Sequence, residues 1–137
     1  MSRAISAVHA AQERGAAIRP KVGGFPYLAE SLRRAGVVRC RMAVPSNAML
    51  YLTDAGNVAV QGEPLITGTA DVPRFDRDAL IAALRADQAG ETTFPEFVQG
   101  CWSAGVVWYD VDLPGRQCVY YGAEGESYTE DYVAVTI

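Results

Sequence analysis

The sequence has few of the residues on which metal and nucleophile-based sites depend. It contains one histidine, His9, and three cysteines, Cys40, Cys101 and Cys118. The cysteines are far apart and form no Cys-x-x-Cys pair, so the usual zinc and dithiol motifs are absent. Three dispersed cysteines are typical of reduced, buried thiols. We therefore predict no metal site and no cofactor, and any Ser-His-Asp or Cys-His site would have to use His9.

Long apolar segments are also absent. No apolar run approaches the roughly 20 residues that a membrane-spanning helix requires. Residues 1–17 are rich in alanine, but polar residues from His9 to Arg14 interrupt them. The uninterrupted apolar stretch and the cleavage site of a signal peptide are therefore missing. We expect a cytoplasmic protein that makes no contact with a membrane.

Charge is distributed unevenly around a net value of −4. Residues 1–70 hold 8 basic and 4 acidic side chains, whereas residues 71–137 hold 4 basic and 12 acidic ones. Two halves of opposite charge favour mutual contact, either within one molecule or between subunits. A nucleic-acid contact is the alternative, through the basic residues Lys21, Arg33, Arg34, Arg39 and Arg41. Because the whole chain is acidic and carries no nucleic-acid motif, we do not expect nucleic acid to be the main partner.

An internal repeat is the strongest pattern in the sequence. Residues 25–56 and 94–125 align without a gap at an offset of 69, with nine identities in 32 positions. Ordinary composition would give roughly two. The repeat predicts two copies of one unit that face each other across a pseudo-two-fold axis.

Hydrophobic periodicity predicts the elements of each unit as helix, helix, strand, hairpin and strand. The predicted helices cover residues 2–14, 25–35, 77–88 and 94–104, and the predicted strands cover 38–44, 48–53, 58–61, 107–113, 117–121 and 132–137. Ser2, Asp76 and Thr93 are the predicted N-caps, Gly15 should end the first helix, and the alternation along the first strand places Val38 on its buried face. A lone hairpin is marginal in water, so the two units should share their strands. We predict a single α+β domain, with unit one over residues 2–61 and unit two over 75–137. Helices should cover the apolar face of one antiparallel sheet, or of two packed sheets.

Asp110 and Asp112 are the first candidates for chemistry, because residues two apart on a strand share a face. Paired carboxylates can divide acid and base roles. With Tyr120 and Arg85 they would form a polar cleft between the units, and a solvated strand face is the alternative. The offset of 69 further predicts that Arg41 meets Asp110 across the pseudo-axis. Whether the polar residues Gln61, Asp71, Arg85, Asp87 and Gln88 are structural or functional stays open.

A second candidate set points to an interface. Trp108 and Tyr121 fall on strand positions that alternate with the apolar ones, which predicts exposed aromatic rings. Exposed aromatic side chains are enriched in protein interfaces and ligand clefts. Together with Arg39 and Arg41 they predict a contact with a second copy or another protein.

Several short sequence segments resemble those of a known family. They are Ala35-Gly36-Val37, Leu50-Tyr51-Leu52-Thr53, Gln61-Gly62-x-Pro64-Leu65, Asp71-Val72-Pro73, residues 79–90, Thr93-Phe94-Pro95-Glu96-Phe97, residues 104–112 and Tyr120-Tyr121-Gly122. In these segments the chain is similar to the YbcV-like family of bacterial and lambdoid-prophage proteins, which are often labelled "phage envelope protein". The resemblance implies a small α+β domain with an internal duplication, and it implies no established activity.

Three classes of function follow from the sequence. The first is a non-enzymatic, self-associating or partner-binding domain of prophage or bacterial origin. The alternative is a small-molecule-binding protein or enzyme that uses the cleft between the units. The third is a nucleic-acid-associated accessory protein.

Overall fold

The computed structural model describes residues 2–137 and shows four helices and six strands. The helices are α1 (Arg3–Ile18), α2 (Phe25–Arg34), α3 (Arg77–Gln88) and α4 (Phe94–Ser103); the strands are β1 (Val37–Ala43), β2 (Ala48–Thr53), β3 (Val58–Gln61), β4 (Val106–Asp112), β5 (Gln117–Gly122) and β6 (Ser127–Asp131). All strands lie in one sheet. The predicted α+β class is confirmed, and the alternative of two packed sheets does not occur.

The sheet places the two units side by side. Its order is β3-β2-β1-β4-β5-β6, and every neighbouring pair is antiparallel. The central contact is between β1 and β4, where Arg41 lies opposite Asp110. Shifting the bounds of α2, β1 and β2 by 69 residues gives the bounds of α4, β4 and β5. The element boundaries therefore agree with the sequence repeat.

The core lies between the helices and one face of the sheet. Alternate strand residues are buried against this side, together with apolar residues from all four helices: Val8, Leu32, Cys40, Met42, Leu80, Val98, Cys101, Tyr109, Val111 and Tyr120 are among them. Most intervening strand residues stay accessible, as Leu50 and Trp108 show with 44% and 43% exposure, but Asp110 is only 6% exposed. The sheet thus has one helix-covered face and one open face, which is common for antiparallel sheets.

Side-chain caps fix where the helices begin. The Ile5 amide donates to the Ser2 hydroxyl, and the Ala79 amide donates to Asp76 Oδ1. Thr93 and Glu96 form both hydrogen bonds of a capping box. Each cap satisfies backbone donors that have no partner inside the helix. All three predicted caps are confirmed.

The predicted end of the first helix was wrong. Gly15 does not stop α1, which continues to Ile18, and it is buried. A Cβ atom at Gly15 would lie 2.6 Å from Leu28 Cδ1 and 3.0 Å from Leu28 Cα. Glycine is needed there because α2 packs closely against α1, which sequence periodicity does not show.

The predicted last strand was also wrong. β6 covers Ser127–Asp131, and the residues after Asp131 are not in a strand. The chain reverses earlier than expected, because the Gly122 amide donates to the Glu126 carbonyl and Gly125 adopts a φ of +88°. Pairing with β5 therefore begins at Ser127.

Bulges change which valine is buried at the start of β1 and β4. The register shifts between Val37 and Arg39, and Val37 is buried while Val38 is 49% exposed. β4 has the same shift after Val106. The expected core position of Val38 was therefore wrong, because a bulge interrupts the period of two.

Candidate functional site

The structure separates the four predicted catalytic residues. Tyr120 is buried on the helix-covered face, whereas Asp110 and Asp112 project from the open face. Arg85 lies on α3 and bonds to Glu130 of β6. These residues do not form one polar cleft, because the sheet lies between the two aspartates and Tyr120.

Asp110 is held by arginines of the other unit. Arg41 donates from Nε to Oδ1 at 2.7 Å and from Nη2 to Oδ2 at 2.9 Å, and Arg39 Nη1 lies 3.8 Å from Oδ2. The pair that the repeat predicts is present. The Arg41 side chain is 52% exposed and that of Asp110 only 9%, so solvent screens the pair from the arginine side and we expect it to contribute about 1 kcal/mol. Asp112 Oδ1 accepts from the Gly115 amide and so closes a turn.

The predicted interface residues share the open face. The rings of Trp108 and Tyr121 have centroids 5.7 Å apart, and these residues are cross-strand partners. Arg39 and Arg41 stand on the neighbouring strand β1, and Leu50 lies beyond Arg41 on β2. The open face therefore combines aromatic, aliphatic and charged side chains.

A cavity of about 510 Å³ lies between the helices and the covered face of the sheet. Both units contribute to its walls. Five pairs of wall residues are related by the offset of 69: Phe25 and Phe94, Leu28 and Phe97, Cys40 and Tyr109, Met49 and Cys118, and Tyr51 and Tyr120. We call this space the inter-unit cavity, because it lies where the two units meet.

Three tyrosines line the inter-unit cavity, and two of them, Tyr109 and Tyr120, have hydroxyl groups without a strong hydrogen-bond partner. Tyr51 accepts a hydrogen bond from Gln12 Nε2 at 2.8 Å. Tyr109 and Tyr120 are only 5% and 6% exposed, with ring centroids 5.2 Å apart. Within residues 2–137 the Tyr109 hydroxyl forms no hydrogen bond, and Tyr120 has only the nearby Cys118 thiol, a weak hydrogen-bonding group. Burial raises the pKa of both phenols well above the ordinary value, so both are neutral.

An acidic corner of the cavity contains Asp87 and Thr92. Burial raises the pKa of Asp87, and the charge of Arg19 and the nearby Thr92 hydroxyl act in the opposite direction. Thr92 Oγ1 is buried, yet no described residue reaches it with hydrogen-bond geometry. The ion pairs among residues 2–137 do not include Asp87. This corner therefore offers acceptors that no ion pair and no well-aligned hydrogen bond within residues 2–137 satisfies.

Glu130, in contrast, is fully engaged. Oε1 accepts from Arg85 Nη1 at 2.6 Å and from Gln88 Nε2 at 2.7 Å, and Oε2 accepts from the Tyr128 hydroxyl at 2.9 Å. Burial acts to raise the pKa of Glu130, but these hydrogen bonds outweigh it and the pKa is lowered. Arg85 and Gln88 thus join α3 to β6.

Two further polar positions stay outside the cavity. Gln61 Nε2 donates to the Ser46 and Gly62 carbonyls and so joins the end of β3 to the turn between β1 and β2. Asp71 is exposed in the connection between the units. Of the polar positions that the sequence left open, only Asp87 and Gln88 line the cavity.

The three cysteines are free and buried, as predicted. Burial is the main cause that raises the pKa of each thiol to about 12. Thiols with such pKa values are protonated at neutral pH and are poor nucleophiles. No three His, Cys, Asp or Glu side chains of residues 2–137 are grouped so that they could hold a metal ion. None of the four helices has the length and apolar character needed to cross a membrane.

Comparison with known proteins gives relatives without a described activity. "Uncharacterized protein Rv2012" of Mycobacterium tuberculosis is 53% identical over 135 residues, which cover 98% of this chain and 82% of the relative. "Uncharacterized protein Mb2035" of Mycobacterium bovis matches with the same identity and coverage. The matches support a family of unknown function, and the YbcV-like and phage-envelope labels stay expectations. Since the family model covers residues 17–131, the chain belongs to the family described as "Protein of unknown function (DUF1398)".

Proposed function

We propose that this protein binds a small organic molecule in the inter-unit cavity. The observation that carries the proposal is the pair of buried phenols, Tyr109 and Tyr120, whose hydroxyls meet a preformed cavity without a strong protein partner. A volume of about 510 Å³ falls within the range of ligand pockets. Apolar walls with a few polar groups are the usual composition of such pockets.

The polarity of the cavity wall supports this proposal. Neither tyrosine hydroxyl is among the fully buried, unpaired polar atoms of residues 2–137, so both reach space that water or a ligand can enter. Phenylalanine at position 109 or 120 would fill the same space without placing a polar group at the cavity. A ligand that bonds to the hydroxyls explains why the cavity is lined with tyrosine.

The same groups favour binding over bond-breaking chemistry. The phenols and thiols are neutral, because burial raises their pKa values. Glu130 is occupied by three donors. A nucleophile with an adjacent base, which covalent catalysis needs, is not formed by these cavity residues.

A thermal-shift screen with a small-molecule library tests the proposal. A ligand at one hundred times its Kd should stabilise the wild type by about 2.7 kcal/mol. We expect Met49→Trp, which fills the cavity, to weaken each hit at least about tenfold, roughly the effect of losing 1.4 kcal/mol of binding free energy. Leu50→Trp places the same ring on the open face and should leave affinity unchanged. Failure of every compound, or equal binding by Met49→Trp, would contradict the proposal.

Self-association through the open face is a second candidate function. It rests on one observation: the exposed side chains of Trp108, Leu50 and Arg41 share the open face with the partly exposed Tyr121 ring. A two-fold dimer would use this patch on both copies, and a stable interface buries about 800 Å² per partner. Aromatic and arginine side chains are enriched in such interfaces.

Sedimentation equilibrium tests the second candidate. We expect the wild type to dimerise and Trp108→Asp to weaken the dimer at least about tenfold, because a charge then replaces a buried ring. Val72→Asp, an equally exposed position in the connection between the units, should not change the dimer. A monomeric wild type at millimolar concentration would rule out this candidate.

The nucleic-acid alternative has less support. Glu30 bonds to Arg33 and Arg34, and the Arg33 hydrogen bond is the main cause that lowers the pKa of Glu30 to about 2. Arg39 and Arg41 are turned towards Asp110. Each pair of arginines therefore shares one carboxylate, which reduces its net charge, and we do not propose a phosphate-binding surface.

A further inference from the structure

The inter-unit cavity has the chemistry of a site for an organic cation. We propose that its ligand is a protonated amine on an aromatic or aliphatic body. This inference rests on the proposed function and specifies the ligand class for the same site. It follows from the aromatic walls, from the unused acceptors and from the positions of the other charges.

Seven aromatic rings line the cavity. They are Phe25, Tyr51, Phe94, Phe97, Tyr109, Tyr120 and Tyr132. Ring contacts fix several of them: the Phe25 and Tyr132 centroids are 5.1 Å apart, and the Phe97 and Tyr109 centroids are 6.4 Å apart. The faces of aromatic rings attract cations, and cages of such rings recognise ammonium groups.

Asp87 supplies the charge that an ammonium group needs. It is a half-buried carboxylate that belongs to no ion pair within residues 2–137, and the buried Thr92 Oγ1 beside it has no partner. An ammonium group has three donors and no acceptor. It would satisfy the Asp87 carboxylate and the Thr92 hydroxyl together.

The other acidic side chains at the cavity already have hydrogen-bond partners, so Asp87 is the one available to pair with an ammonium group. Glu130 is bonded to Arg85, and Asp131 Oδ1 accepts from Gln117 Nε2 on the open face. Arg19 is exposed, and its Nε lies 2.8 Å from the place of a Cβ on Gly24. The Arg19 side chain therefore lies beside the Gly24 backbone, and its charge acts on Asp87 without forming a salt bridge. An ammonium ligand would pair with the Asp87 carboxylate directly, and a carboxylate ligand would meet a like charge there.

Three compounds of matched shape test the inference: phenylpropylammonium, phenylpropanol and phenylpropanoate. Calorimetric titration of the full chain gives the Kd of each. We expect the ammonium to bind at least about tenfold more tightly than the alcohol, and the carboxylate to bind most weakly. Asp87→Asn should remove the preference for the ammonium. Asp71→Asn, which alters an exposed carboxylate outside the cavity, should keep it.

The outcomes separate the ligand class from the cavity function. If the alcohol binds as tightly as the ammonium and Met49→Trp blocks both, the cavity function stands and the amine inference is overturned. The inference also fails if Asp87→Asn keeps the preference, or if none of the three compounds binds. The library screen then decides the cavity function independently.

Discussion

Gly105→Ala should lower the free energy of unfolding by about 3 kcal/mol, near the upper end of the cost of local backbone strain. Gly105 ends α4 with a φ of +83°, and a Cβ there would lie 2.6 Å from both Cα and N of Phe75. Because those atoms are backbone, the contact cannot be relieved by a side-chain rotation. The same junction is fixed by the Asp76 amide, which donates to the Ala104 carbonyl at 2.8 Å. The substitution should therefore disturb the contact between α4 and the start of α3.

Gly125→Ala is the matched control for this substitution. Gly125 has a similar φ of +88°, but nothing lies within 4 Å of a Cβ built there. Only the conformational cost remains, which is about 1 kcal/mol. Urea unfolding of both variants measures the difference. Equal destabilisation would mean that backbone conformation alone, and not the close approach of Phe75, decides the effect.

The repeat explains why so much of the fold could be predicted. Once two units share an offset of 69, an antiparallel contact between their first strands places Arg41 opposite Asp110, and the structure shows this pair. Caps such as Thr93 and Glu96 depend on neighbours within four residues, so the sequence also contains their signal. Gly15 was misread because its role depends on Leu28 of another helix. Val38 was misread because a bulge changes the period locally.

The candidate site could be predicted only in part. Tyr120 was identified, and its repeat partner Tyr51 also lines the cavity. The alternation along β4 separates Asp110 from Tyr109, and the pairing of Tyr109 with Tyr120 then assigns Tyr120 to the covered face. That pairing register cannot be read from either strand alone. Asp87 was left open, because its place at the cavity depends on how α3 packs above the sheet.

The cavity tyrosines lead to the second large effect that we expect. The double variant Tyr109→Phe with Tyr120→Phe should weaken binding of a cavity ligand by about a hundredfold, if each hydroxyl contributes about 1.4 kcal/mol. Stability without ligand should stay the same or rise, because the hydroxyls gain little from the folded protein. Unfolding in urea and a titration with the same ligand measure the two quantities.

Tyr51→Phe is the control that separates a structural hydroxyl from one available to a ligand. Its hydroxyl accepts from Gln12 Nε2 at 2.8 Å, so its removal leaves that donor unpaired and should cost about 1 kcal/mol of stability. The double variant and Tyr51→Phe should therefore move stability in different directions, although each change removes only hydroxyl oxygen. A double variant that loses stability and keeps its ligand affinity would show that Tyr109 and Tyr120 serve the fold. The opposite result would mean that these two hydroxyls serve the ligand and not the fold.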